Sequence, residues 1–454
     1  MTRDMTVGNP MKLILQFTIP LLLGNLFQQM YNLADSIIVG RALGIQALAS
    51  VGASTSITFL IIGFVIGTCS GFAIPVAQCF GAGDEVQMRK FVFNGMILAV
   101  ILAAGLTVVT CLLCRKILVW MGTPIDILEG AYEYLFIIFL GIPFTFLYNM
   151  LSGIIRSLGD SRTPFLFLVI STILNIAGDL LLILVFHMGV MGAGLATIMA
   201  QAISGILCFY YMRHHFKILR SGKEDRKLES SRMRKLLFIG VPMGLQFSIT
   251  AIGSIMLQSA INSLGTIVVA AYAAAMKIKM LMMCPYDAIA NAMATFGGQN
   301  LGACKLKRIR TGMKDSLIIG VSYSILAGVI LNLFGSTIAT LFVAKDNIEI
   351  LARTQQYLGT IGCFYFVLAF LNILRSTIQG LGYSAPAFFA GVFEMVARTL
   401  MALIVIPKYG YTAACFTDPT AWISATLFLI PLFFYVMRRL EHKVVVNCAE
   451  ICDS

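Results

Sequence analysis

The sequence predicts an all-α integral membrane protein: twelve transmembrane helices in two parallel six-helix repeats that form a V-shaped pair of lobes. Three observations predict it. The composition is 59% hydrophobic and only 12% charged, with mean hydropathy +0.88, far above the apolar share of soluble domains. Apolar runs of about 20 residues, long enough to cross a hydrocarbon core of roughly 30 Å as helices, recur along the whole chain. The second half repeats motifs of the first in the same order.

Twelve runs qualify: 13–40, 48–78, 90–114, 131–155, 164–187 and 192–212, then 235–263, 268–299, 315–343, 352–378, 387–407 and 419–437. The opening MTRDMTVGNP is short and polar, and the run after it is too long for a signal h-region, so no cleavable leader is predicted. The second run closes in GAGDEVQMRK, the fourth in RSLGDSRT and the sixth in the strongly basic RHHFKILRSGKEDRKLESSRMRK. In the second half, GACKLKRIR and MRRLEHK follow the eighth and twelfth runs. All these basic connections fall on one side of an alternating path. The opposite loops, around Arg41, His187 and Lys345/Asp346, are short and nearly balanced. The positive-inside rule then puts both termini in the cytoplasm and the protein in the cell membrane. The net charge of +12 is read as this topology signal; no soluble basic domain exists to carry nucleic acid.

The repeat is parallel. KLILQFTIP (12–20) returns as KLLFIGVP (235–242), ALGIQALASVGA as SLGTIVVAAYAA, and QCFGAG (78–83) as QNLGAC (299–304). SLGDSRTP returns as GLGYSAP, and GVMGAGLAT (189–197) as GYTAACFTD (410–418). Six spans per half is an even number, so both halves enter from the same side, an arrangement used by secondary transporters. The expected organisation is an N-terminal lobe 1–212, a basic linker 213–234, a C-terminal lobe 235–440 and a tail 441–454. The polar linker is expected to be flexible, and two facing lobes leave a central cleft suited to alternating access. Most of the eleven cysteines lie within spans, where Cys is a small apolar residue. Cys111/Cys114 lacks the second pair a metal site needs, and the tail thiols Cys448 and Cys452 are expected to be reduced.

Charged residues inside spans are costly, so each asks for a partner or a task. ILNIAGDLLLIL (173–184) carries Asn175 and Asp179 at i and i+4, on one helical face. At 1.5 Å per residue, Asp179 lies roughly 22 Å beyond Thr163-Pro164, Asp35 roughly 9 Å from Arg41, and Thr197 roughly 8 Å from Gly192. These four polar residues are expected to share one layer of the first lobe. At an offset of about 222 their counterparts include Leu257 for Asp35, Ala397 for Asn175 and Met401 for Asp179, so the second lobe is expected to have the fold but not the acids. Two neighbouring carboxylates resist double ionisation and can hold a proton reversibly. With amide and hydroxyl oxygens beside them they equally suit Na⁺, by analogy with other hard cations. A purely structural hydrogen-bond network is the alternative.

In the second lobe, Lys277, Lys279 and Asp287 fall in the long eighth span, and Lys277 and Asp287 are too far apart to bond directly. Each faces the cleft or pairs with another helix. Glu394 and Arg398 are spaced for a local ion pair. Met276, Met280 and Met283, in a methionine-rich span, suit a promiscuous apolar surface. With Tyr31, Asn149, Gln246, Lys277 and Asp287 they are the candidate lining of a substrate cleft. That lining predicts amphipathic, cationic cargo, although the lysines leave room for anionic or neutral compounds.

YNLADSIIVGRALG, QCFGAGD, RSLGDSRTP and NIAGD, with the two-lobe repeat, resemble the multidrug and toxic compound extrusion (MATE) family over about residues 8 to 440. The resemblance implies a secondary antiporter exporting drugs or metabolites in exchange for H⁺ or Na⁺. It places Asp35, Asn175, Asp179 and Thr197 at the cation- or proton-coupling cluster of the first lobe, with Ala193 where a backbone carbonyl ligand lies. Acidic coupling residues in the second lobe of some branches have at most a loose counterpart in Asp287. No cofactor is expected beyond the coupling ion. The expected partners are small amphipathic molecules and the bilayer, with the chain a monomer. No GxxxxGK[ST] loop is present to support ATP-driven pumping, and the four histidines offer no catalytic cluster for an embedded enzyme. A lipid-linked sugar flippase of similar architecture is the alternative transporter.

Overall fold

The computed structural model describes residues 4–220, 222 and 224–452, with side chains up to 442; Cys448 and Cys452 therefore lie outside the described side chains. Inside a bilayer every backbone N–H and C=O needs a partner within the chain, which selects helices. The described residues form them almost throughout. They are α1 (Pro10–Leu43), α2 (Ile45–Ala82), α3 (Glu85–Trp120), α4 (Ile125–Leu140), α5 (Ile142–Ser157), α6 (Arg162–Asp179) and α7 (Gly189–His215). After the linker come α8 (Ser230–Asn262), α9 (Thr266–Gly302), α10 (Leu306–Ala339), α11 (Ile348–Gly380), α12 (Ser384–Leu400) and α13 (Ile406–Cys452).

Ten of these segments are long and apolar enough to cross a membrane, and α4 with α5, bent by 45°, make an eleventh. The last segment contains Gly410 at φ 60°, ψ −141°. A glycine adopts that backbone without strain, and there the continuous helical run divides into two spans. The total is the expected twelve. The repeat also reaches backbone detail. A π-helical turn follows α6 at Leu180–Val185 and α12 at Met401–Val405, starting at positions 221 residues apart.

The chain divides into two compact units. One is built mainly from Leu23–Ser248, the other from Met5–Leu22 with the residues from Ile249 onward. In the first unit, α2 and the start of α8 meet backbone to backbone. A Cβ on Gly71 would lie 2.5 Å from the Gly240 Cα, and one on Gly67 would lie 2.8 Å from the Gly244 Cα. Both helices carry a GxxxG pattern here, the small-residue spacing that permits such approach.

The polar connections are structured by their own side chains. Asp84 caps α3 by accepting from the Gln87 N–H at 2.9 Å, so GAGD is a helix stop followed by a helix start. Asp160, in RSLGDSRT, accepts from the N–H groups of Arg162 and Thr163 and from the Tyr211 hydroxyl. The linker, expected to be flexible, is pinned instead. Fully buried Asn94 donates to the Lys227 carbonyl (3.1 Å) and accepts from the Glu229 N–H (3.0 Å). Arg89 Nε donates to Asp225 at 2.8 Å, and Phe216 and Leu219 enter the core of the first unit. Composition registered the polarity of this segment but not the partners waiting on α3. The segment before α1 is held in the second unit in a parallel way. Met5 is buried, its N–H donates to Gln299, and its carbonyl accepts from Asn300.

Candidate functional site

Within the first unit, α1, α6 and α7 bring the predicted polar residues together. Asp179 ends α6 just before the π turn and is fully buried; Asn175 lies one turn earlier and is equally inaccessible. Asp35 on α1 is 8% exposed, and its carboxyl lies within the field of that of Asp179. Thr197 on α7 is the hub. Its hydroxyl donates to the Ala193 carbonyl at 3.0 Å, and it accepts from Asn175 Nδ2 at 3.3 Å and from the Tyr31 hydroxyl at 3.1 Å.

Four oxygens of this cluster stand out. Asp35 Oδ1, both Asp179 carboxylate oxygens and Asn175 Oδ1 are buried, yet among the described residues no donor group reaches them. Buried acceptors are almost always satisfied, and an unpaired buried carboxylate is costlier still. Such a set is chemically suited to a proton or a small hard cation. Tyr31, placed by sequence in the cleft, has its hydroxyl in this cluster. Tyr134 on α4 also lies within the field of Asp35 and Asp179. Sequence reasoning missed Tyr134, since an aromatic residue in an apolar helix gives no local signal.

The other cleft candidates are divided between the two units. Half-buried Asn149 donates back to the Thr145 carbonyl of its own helix, and Gln246 is 7% exposed. In the second unit, Met276 and Met283 are half-buried, while Met280, Lys277 and Asp287 are exposed. The Lys277 ammonium stands 5.5 Å above the Phe342 ring.

A second polar assembly, in the second unit, was only partly foreseen. The spaced Glu394–Arg398 pair forms at 3.3 Å, but it belongs to a larger network. Glu394 also pairs with Arg375, and Arg398 Nε donates to Asp418 at 3.1 Å. Asp418 also binds Lys279 and accepts from the Tyr357 hydroxyl at 2.6 Å. The expectation that the second half lacks acids therefore holds only at the positions compared. Asp418 stands opposite Thr197 in the repeat and was overlooked because it was placed before the start of the last span, whereas α13 is already helical there.

Comparison with known proteins puts the whole chain in context. The MatE family model matches twice, over residues 20–181 and 242–404, once in each repeat. The chain is similar to the probable multidrug resistance protein YpnP of Bacillus subtilis, 30% identical over 93% of this chain and 91% of that protein. It is similar also to the probable multidrug resistance protein NorM of Thermotoga maritima, 24% identical over 96% and 94%. Among solved structures, a crystal structure of MATE in complex with MaL6 aligns with TM-score 0.90 at 22% identity, covering 97% of this chain and 99% of that one.

Proposed function

Because the chain belongs to the MatE family of multidrug efflux transporters, we propose that it is a secondary antiporter whose coupling ion, H⁺ or Na⁺, binds at Asp35 and Asp179. The observation that carries this reading is the set of four buried acceptor oxygens without donors. A proton shared by the two carboxyls removes their mutual repulsion. A sodium ion does the same while drawing on Asn175 Oδ1. Thr197 holds Asn175 and Tyr31 in register, and the Ala193 carbonyl fixes the Thr197 hydroxyl.

Loading this site changes the charge at the junction of α6 with its π turn, a type of backbone irregularity frequent at functional sites. Entry of one charge down a membrane potential supplies about 2.3 kcal/mol per 100 mV. That shifts a two-state equilibrium nearly 50-fold, since about 1.4 kcal/mol is tenfold. The cargo in this reading is an amphipathic organic cation, exported by alternating access. What supports that is the multidrug naming of the relatives and the exposed Asp287 in the same span as exposed Met280.

The test is dye efflux from proteoliposomes under an imposed pH gradient and then under an imposed Na⁺ gradient. Wild-type protein is expected to use one of the two. Asp35→Asn and Asp179→Asn are expected to abolish gradient-driven efflux while folding normally in detergent. Gradient-driven efflux at wild-type rate in both variants would remove the assignment.

A further inference from the structure

The transport reading leaves the buried charges of the second unit unused. Lys279, Arg375, Glu394, Arg398 and Asp418 are each at most 8% exposed, and together they hold three positive and two negative charges. At their centre, Asp418 receives the Lys279 ammonium, the Arg398 guanidinium and the Tyr357 hydroxyl. The ammonium also stands 3.5 Å from the Tyr357 oxygen and 5.6 Å above the Trp422 ring, a cation–π distance. It thus sits in a cage of carboxylate, hydroxyl and aromatic face, the chemistry that would receive a small free cation.

The repeat gives this cage its meaning. Thr197 plus 221 is 418, the same shift that relates the π turns at Leu180 and Met401. Thr197 and Asp418 therefore occupy matching positions on matching helices, α7 and α13, while Lys279 on α9 corresponds to a position on α2 that the first cluster does not use. In the first unit, Asp35 and Asp179 have no lysine or arginine partner among the described residues. In the second, the buried acid at the matching place is saturated by cations belonging to the chain.

We propose that Lys279 is a tethered cation. Its ammonium permanently occupies the carboxylate of the second unit, the role that an incoming ion takes at the carboxylates of the first, so external cations load the first unit alone. The comparison with ion loading rests on the function proposed above; the occupancy of the Asp418 cage by a cation does not, and the test is built on that occupancy.

Lys279→Ala removes the ammonium and opens space for a small amine. The full-length variant, purified in detergent, is expected to melt below wild type and to recover with methylammonium chloride but not with choline chloride at equal ionic strength. Wild type should respond to neither salt. In Lys279→Ala/Asp418→Asn the methylammonium response should vanish, because the carboxylate that captures the amine is gone. In proteoliposomes, efflux by Lys279→Ala should fall roughly tenfold or more, as for a broken buried ion pair, and be restored by methylammonium. Lys279→Met, which keeps most of the volume and none of the charge, should be as defective and not rescued. Wild-type stability and efflux in Lys279→Met would overturn the proposal, as would a Lys279→Ala protein that ignores methylammonium. If the antiport reading failed instead, wild-type efflux would show no gradient dependence while the methylammonium effect on melting persisted.

Discussion

Thr197 has one hydroxyl and three polar neighbours, which makes it the most informative single position in the first-unit cluster. Replacing it by valine keeps the shape but leaves the Ala193 carbonyl, the Tyr31 hydroxyl and Asn175 Nδ2 without their common partner. A buried polar group stripped of its partner costs about 1–3 kcal/mol. Thr197→Val is therefore expected to raise the cation concentration for half-maximal efflux by about tenfold or more, and Thr197→Ser to restore it. Unchanged cation dependence in the valine variant would show that the hub does not order the site. The residues legible in the sequence were those that violate their surroundings: Asp35, Asn175, Asp179 and Thr197 are polar in apolar runs, and helical spacing alone places them at one depth. Tyr134 violates nothing and was invisible. Asp418 was hidden differently, beside Pro419 at the edge of an apolar run, where an aspartate reads as a loop residue.

At the scale of elements, helices and breaks were readable because bilayer length and glycine or charge clusters mark them, but packing partners were not. The approach of α2 to α8 is one example. A side chain on Gly71 or Gly240 has no room, since a Cβ on Gly240 would lie 2.6 Å from the Phe72 ring. Gly71→Leu is expected to force these helices apart, lowering the yield of monodisperse protein on size exclusion and its melting temperature. A leucine variant as stable as wild type would mean that the contact is dispensable. The linker is a second example. Its basic, polar sequence implies freedom, whereas Arg89 and Asn94 hold it from α3. Arg89→Ala is expected to speed tryptic cleavage within residues 213–234 several-fold at neutral pH, and equal cleavage rates would deny the tether. The same contact has a pH signature. The Arg89 hydrogen bond holds the Asp225 carboxyl below its usual range. A depressed carboxyl stabilises the folded form above the ordinary carboxylate pKa, and that contribution is lost as pH falls through the lower, folded value. The Arg89–Asp225 contact should thus persist at neutral pH and be lost in acid below the ordinary carboxylate range.

For the whole molecule, the notable feature is a repeated architecture with unrepeated electrostatics. The two halves match the same family model and share the π turn after their fifth span, yet among the described residues Asp35 and Asp179 have no cationic partner in one, while Glu394 and Asp418 are paired with resident cations in the other. Symmetry of fold follows from apolar patterning, which the sequence displays openly. Asymmetry of charge depends on which buried groups meet, and only coordinates reveal that Lys279 meets Asp418. The asymmetry predicts where a coupling ion is felt. A ligand that binds only the native site stabilises it by RT ln(1 + [L]/Kd), about 2.7 kcal/mol at a hundredfold excess over Kd. Local opening near the site should then slow by up to about a hundredfold. Hydrogen exchange on the full-length protein, with and without the coupling ion, should show added protection in the second half of α1, in α6 with its π turn and in α7. Protection in α12 and α13 should not change, because their acids are already paired with resident cations. Equal protection in both sets of helices would mean that the second unit also loads an external ion, and the charge pairing around Asp418 would need another explanation.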